Sequence, residues 1–204
     1  MKIINTLIAV LLAISINAQD ESRWGLGLGY QSNIVNLAIE GVENEYAMIK
    51  LGVTRQIRVN ENSSLFWGLE VSRLSVDIPA HRPDFFGPTV AASTASPTML
   101  TLLLGAKRQK FDGLFYATGA LLLEYDFGAP ESSAYAVQNG LGIMLGLGKD
   151  IHITEDYVIS IDPTVRVRSG VDFRGTGSTG GFSEGNSHLM LDAGVMVSLS
   201  YKFF

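Results

Sequence analysis

Apolar residues recur at every second position along most of this chain, which is the period of a β-strand with one apolar side. The clearest segment closes the sequence, where one face would carry Leu189, Leu191, Ala193, Val195, Val197, Leu199, Tyr201 and Phe203. Seven earlier segments repeat the pattern, at residues 24–30, 47–54, 65–72, 100–107, 115–125, 140–148 and 157–168. The periodicity therefore predicts an all-β protein of eight strands.

The connections between these segments alternate in length. Tight turns are predicted at residues 59–63, 110–113 and 152–156, and long connections at 33–45, 77–97, 128–136 and 169–187. Five of the six prolines fall in the long connections, where a missing backbone donor costs nothing. Pro163 is the exception, and a β-bulge would accommodate it within the seventh segment. Alternating connections place the tight turns at one rim and the long connections at the other.

Such a sheet could close into a soluble, lipocalin-like barrel with an apolar interior, or into a membrane barrel with an apolar exterior. Aromatic residues favour the second, because six of them would lie on the apolar face close to the tight-turn rim. These are Trp24, Trp67, Phe115, Tyr157, Tyr201 and Phe203. Phe115 and Tyr125 would be separated by roughly 25 Å along a tilted strand, the height of a lipid-facing band. The pattern predicts a closed eight-stranded antiparallel up-and-down transmembrane β-barrel.

The opposite face of the strands carries charges of both signs. The inward positions predicted to hold them are Lys50, Glu70, Lys107, Glu124, Asp162, Arg166 and Asp192. An eight-stranded barrel is just wide enough for side chains to fill its lumen, and an unpaired charge there is costly. We therefore predict a polar, side-chain-filled interior with a paired charge network, given room by glycines on the first and sixth strands.

The first eighteen residues have the composition of a secretory signal peptide. Lys2 precedes an apolar stretch too short to span a bilayer as a helix, and small residues lead up to Ala18. This predicts a cleaved signal at residues 1–18 and one barrel domain at 19–204. The net charge of −5 argues against nucleic-acid binding. The chain has no cysteine and three dispersed histidines, so we expect no cofactor and no metal.

The eight segments, the "INAQ" at the predicted cleavage site and the closing "VSLSYKFF" together resemble the small OmpA/OmpX-like outer-membrane β-barrels. Among these, the chain resembles the Bacteroidetes-type outer-membrane β-barrel domain proteins of the PorT-like family. The resemblance implies a monomer in the cell outer membrane, surrounded by lipid. It also implies that Tyr201, Phe203 and Phe204 form the signal read by the barrel-assembly machinery. The family places the last residue on the apolar face, whereas here Phe203 is in that phase and Phe204 is one beyond.

Several functions are compatible with such a barrel. The favoured one is a structural or surface-interaction role, in which four long extracellular loops bind an unidentified envelope or extracellular ligand. A second is an enzyme acting on lipid A or peptide at the outer rim, with His81, His188 and Ser187 as candidates, although adjacency in sequence does not make a catalytic site. A third is a narrow, gated channel past the charge network. We expect no enzymatic activity.

Overall fold

Eight long antiparallel strands form the wall of the molecule. They are β1 (Ser22–Asn36), β2 (Tyr46–Asn60), β3 (Ser63–Ile78), β4 (Thr98–Lys110), β5 (Phe115–Asp126), β6 (Gly140–His152), β7 (Tyr157–Ser169) and β8 (Leu189–Phe203). The computed structural model describes residues 22–36, 46–78, 93–96, 98–110, 114–126, 136–137, 140–169, 171–172 and 189–203. Among those residues there is no helix long and apolar enough to cross a bilayer.

The sheet closes on itself. Each strand pairs with its neighbours in sequence, and β1 pairs with β8 from Ser22 opposite Phe203 to Asn36 opposite Met190. Closure removes both edges, so every wall strand has a hydrogen-bonded neighbour on each side, as a lipid environment requires. The predicted closed, eight-stranded, antiparallel up-and-down barrel is confirmed.

Two of the tight turns lie where the sequence predicted them. Residues 61–62 join β2 to β3 and residues 153–156 join β6 to β7, whereas most of the turn predicted at residues 110–113 lies outside the described residues. The strands contain 12 to 16 residues, and most of them are longer than the apolar segments of about ten that predicted them. The extra residues, which include both polar and apolar side chains, extend these strands toward the rims.

Most of the long connections, and the predicted signal peptide, lie outside the described residues. The parts described add short strands near the rim opposite the tight turns. Ser93–Ala95 pairs with the end of β3, and Ala136–Val137 pairs with Val171–Asp172. The second pairing joins the connection after β5 to the connection after β7.

Pro163 is accommodated without the β-bulge that the sequence allowed. In the ladder between β6 and β7, Gly146 pairs with Thr164 and Lys149 pairs with Ile161, which is one unbroken register. The pairing is absent only at the two positions between them, where proline supplies no N–H donor. On its other side Pro163 stays in register with Val195 of β8.

The apolar face of the barrel points outward. Leu28, Ile49, Leu121, Leu141 and Leu145 are each at least 60% exposed, and large exposed hydrophobics occur on every wall strand except β4, whose outward leucines are half-buried. A continuous apolar belt of this size is incompatible with water, because soluble monomers expose apolar patches of only a few hundred Å². The soluble alternative with its leucines inside is therefore wrong, and the fold is that of a transmembrane barrel.

We predict that Leu121→Arg destabilises the barrel far more than Leu114→Arg. Leu121 is 61% exposed near the middle of β5, whereas Leu114 lies in the turn before that strand. Arginine costs about 2–4 kcal/mol at the bilayer midplane and about 0–1 kcal/mol near the interface. Urea unfolding of the refolded protein in lipid vesicles measures both free energies. Equal costs for the two variants would contradict a lipid-facing position for Leu121.

Candidate functional site in the barrel interior

The interior contains an apolar wall and two charged layers, one toward the long connections and one toward the tight turns. It is therefore less uniformly polar than the sequence predicted. Leu103, Ala120, Leu122 and Met144 form a buried cluster on β4, β5 and β6, with Phe66 packed against it. These residues occupy the inward phase of their strands, so the apolar wall follows from the same alternation that places charges elsewhere. Glycines opposite large side chains make the space, as where Gly27 and Gly29 lie against Met196.

A bidentate ion pair crosses the lumen. Arg166 on β7 donates from Nη1 to Glu70 Oε2 at 2.7 Å and from Nη2 to Oε1 at 2.9 Å. Strands β3 and β7 are four apart in either direction round the barrel, so this pair joins opposite walls. Lys50 Nζ lies 4.0 Å from Glu70 Oε2, and all three side chains are almost fully buried. Paired, fork-to-fork geometry of this kind is among the strongest and most directional of protein hydrogen bonds.

A second group lies next to it, nearer the long connections, and centres on Arg168. Its Nε donates to Asp192 Oδ2 at 2.6 Å and its Nη1 donates to Glu124 Oε2 at 3.2 Å. Gln31 donates to the same Asp192 oxygen at 2.6 Å and accepts a hydrogen bond from Lys50. The side chain of Gln31 therefore links the two groups. Together they involve β1, β2, β3, β5, β7 and β8.

A third group lies in the half of the lumen nearest the tight turns. Lys107 Nζ donates to both oxygens of Asp150, at 2.8 and 2.7 Å, and Ser160 donates to Asp150 at 2.6 Å. The same ammonium lies 3.5 Å from the centre of the Tyr116 ring, and the Tyr116 hydroxyl donates to Asp162. Each charge in this layer is thus matched by an opposite charge, a π face or a hydroxyl.

All seven charges assigned to the interior from sequence face inward. Six of them make ion pairs, and the seventh, Asp162, bonds Tyr116. The sequence assignment omitted Gln31, Arg168, Asp150 and Tyr116. Arg168 and Tyr116 share the phase of assigned neighbours and could have been included. Asp150 lies beyond the predicted end of the sixth strand, which the structure extends to His152.

Between the layers is a cavity of about 90 Å³. Its lining includes Thr54, Thr118, Met144, Ser198 and the Arg166 side chain. Among the described residues, Thr118 Oγ1 and Arg166 Nε are buried without a hydrogen-bond partner. A cavity of this volume has room for about three water molecules, and water beside the Thr118 hydroxyl and the Arg166 Nε would satisfy those two atoms.

The predicted aromatic girdle lies outside the barrel on the turn side. Trp24 and Trp67 meet edge to face at 5.6 Å with Arg55 between them in the sheet, 5.6 Å from the Trp24 ring. Tyr157 and Tyr201 lie 4.8 Å apart on β7 and β8. Phe115 is exposed at the start of β5, Phe203 ends β8, and Phe204 lies outside the described residues.

The residues considered for catalysis remain untested. His81, Ser187 and His188 lie outside the described residues, and His152 is exposed at the end of β6. Within the described parts of the chain, no three His, Asp or Glu residues converge as metal ligands would.

The fold and its outward apolar belt define the class of the protein, which is a transmembrane β-barrel. No protein-family model matches the sequence, so the PorT-like resemblance stays a prediction, and no curated protein matches it either.

Three solved structures illustrate the likeness in fold. OprG, an outer membrane protein of Pseudomonas aeruginosa, is 13% identical over 90% of this chain and 96% of its own, with a TM-score of 0.48. The outer membrane protein AlkL is 12% identical over 90% of each chain, with a TM-score of 0.47. Ail, the attachment invasion locus protein of Yersinia pestis, is 12% identical over 91% of this chain and 100% of its own, with a TM-score of 0.47.

We predict that removing one partner of the Glu70–Arg166 ion pair lowers the free energy of unfolding far more than removing both partners. Glu70→Met leaves the buried Arg166 guanidinium without its carboxylate, which costs about 3–5 kcal/mol. Combining Glu70→Met with Arg166→Met replaces both groups by apolar side chains and should recover most of that loss. Urea unfolding in vesicles gives the interaction free energy as a double-mutant cycle.

Lys149→Met is the matched control, because Lys149 is exposed on the outer side of β6. It should change the free energy of unfolding by less than about 0.5 kcal/mol. Additive effects of the Glu70 and Arg166 substitutions would show that the observed pair is not coupled in the membrane.

Proposed function

We propose that this protein is an outer-membrane β-barrel with a closed lumen, which acts as a rigid scaffold for its four long connections. The observation that carries the proposal is the buried bridge between Arg166 and Glu70, together with the adjoining Arg168 group. These side chains reach from wall to wall and are hydrogen-bonded to one another. A lumen filled in this way supports anchorage and not bulk diffusion.

The location in the outer membrane is supported by the outward apolar belt and by closure of the sheet. A barrel crosses a bilayer because every backbone donor and acceptor is paired between strands. Aromatic residues at the turn rim suit the boundary between lipid tails and water. We propose that lipid surrounds the monomer. We also propose that Tyr201 and Phe203 at the end of β8, together with the following Phe204, are read by the barrel-assembly machinery.

The interaction role is assigned to the rim opposite the tight turns. Connections held by a rigid scaffold are where binding residues tend to lie. The pairing of Ala136–Val137 with Val171–Asp172 supports this, because it joins two of the long connections beyond the barrel wall. The ligand would be an envelope or extracellular molecule.

A narrow channel is the second candidate, and the cavity of about 90 Å³ is the observation that favours it. The cavity ends against Glu70 and Arg166, so conduction would require the bridge to open. Planar-bilayer recording distinguishes a lumen that stays closed from one in which this bridge opens.

We predict that the wild-type protein shows no discrete current steps in a planar bilayer at neutral pH. The triple variant Glu70→Ser, Arg166→Ser and Arg168→Ser removes the longest side chains that cross the lumen, and it should conduct. Steps of similar size in the wild-type protein would contradict the closed lumen and favour the channel. Heat modifiability on a denaturing gel confirms that both proteins are folded.

We predict that the long connections face outward from the cell. The chain has no cysteine, so single cysteines can be introduced without background. A membrane-impermeant maleimide should label Ser178→Cys, in a long connection, on intact cells. It should label Asn62→Cys, in the turn between β2 and β3, only after lysis. The reverse labelling pattern would show that the long connections face the inside of the cell envelope, and it would contradict the proposed binding role for them.

A further inference from the structure

The rim nearest the tight turns contains a polar pocket of about 280 Å³ at the mouth of the lumen. Four cations line it, which are Arg23, Arg58, Lys107 and Lys202, together with two acids, Glu61 and Asp150. Lys107 is already paired with Asp150. Three cations therefore face one remaining carboxylate, in a chain whose overall charge is −5.

Two of these cations are placed against each other. Arg23 on β1 is directly opposite Lys202 on β8, and both lie in the inward phase of their strands. Like charges directly opposite across a strand pair are destabilising. Within the described part of the chain, neither side chain has a hydrogen-bond or ion-pair partner. Arg166 and Arg168, farther along the lumen, both form ion pairs with buried carboxylates, and this contrast is the feature to be explained.

The rest of the pocket supplies neutral polar groups suited to an oxyanion. Asn62, Ser63, Ser64 and Gln109 line it, and Gln56 donates to Ser64 at 2.9 Å. Amide and hydroxyl donors beside two cations form the kind of environment that binds a phosphate group. Gln56 and Lys107 also line the cavity of about 90 Å³, so the pocket and the cavity meet at these residues.

We propose that this mouth is a binding site for a phosphate group, with Arg23 and Lys202 as its main ligands. A dianion between them would convert a repulsive pair into two charge-assisted contacts. The phosphate could be free in solution or part of a lipid headgroup at the rim, and the chemistry of recognition is the same. The inference goes beyond the scaffold role and does not depend on which side of the membrane the rim faces.

The test is calorimetric titration of the refolded protein in a nonionic detergent. One titration uses inorganic phosphate and the other uses soluble dihexanoyl phosphatidylglycerol. We expect saturable binding by the wild-type protein, weakened at least about tenfold by Arg23→Gln and by Lys202→Gln, because each substitution removes a charge-assisted bond. Binding of the lipid alone would identify a headgroup site, and binding of inorganic phosphate would identify a site for the free ion.

Arg108→Gln and Lys149→Gln are matched controls, since both residues are exposed on the outer face of the barrel. They should leave both affinities within about twofold. A second readout is the urea midpoint, which phosphate should raise in the wild-type protein and not in Arg23→Gln. The proposal is overturned if neither probe binds, or if the controls lose as much affinity as the pocket variants.

Discussion

The constraint on which this structure depends is that a bilayer offers nothing to an unpaired backbone group. It forces the β1 to β8 closure, and closure fixes which side of each strand is lipid and which is lumen. Because the outer face is largely apolar, most charged residues in the middle of the wall strands are directed into a narrow interior. The ion pairs of Glu70, Arg166 and Arg168 are the consequence, since charges confined there must find partners.

The strand period made most of the fold predictable from the sequence. Positions such as Lys50, Glu70 and Asp192 are inward because their neighbours on both sides are apolar, and tight turns at residues 61–62 and 153–156 fix the order of pairing. The choice between an apolar interior and an apolar exterior was also within reach. Aromatic residues cluster at one end of the outward face, which a soluble barrel would not require.

The pairing of charges was not predictable, because it depends on contacts across the lumen and not along a strand. Glu70 and Arg166 are 96 residues apart and meet only because β3 and β7 are opposite in a ring of eight. The strand ends were the other difficulty. Placing the end of the sixth strand at Gly148 excluded Asp150, and with it the partner of Lys107. The apolar wall at Leu103 and Leu122 was hidden within runs of consecutive leucines, in which the period of two is hard to see.

The two ends of the lumen differ in a way that the membrane alone does not demand. Toward the long connections, Arg168 is buried, is held by Asp192 and Glu124, and is packed against the sulfur atoms of Met48 and Met99. Toward the turns, Arg23 and Lys202 face each other at an open mouth. Folding would be served equally well by an acid at either position, since a cross-strand pair of opposite charges is favourable. Two cations at that site therefore point to a requirement outside folding, and an anion at the mouth is the simplest group that supplies one.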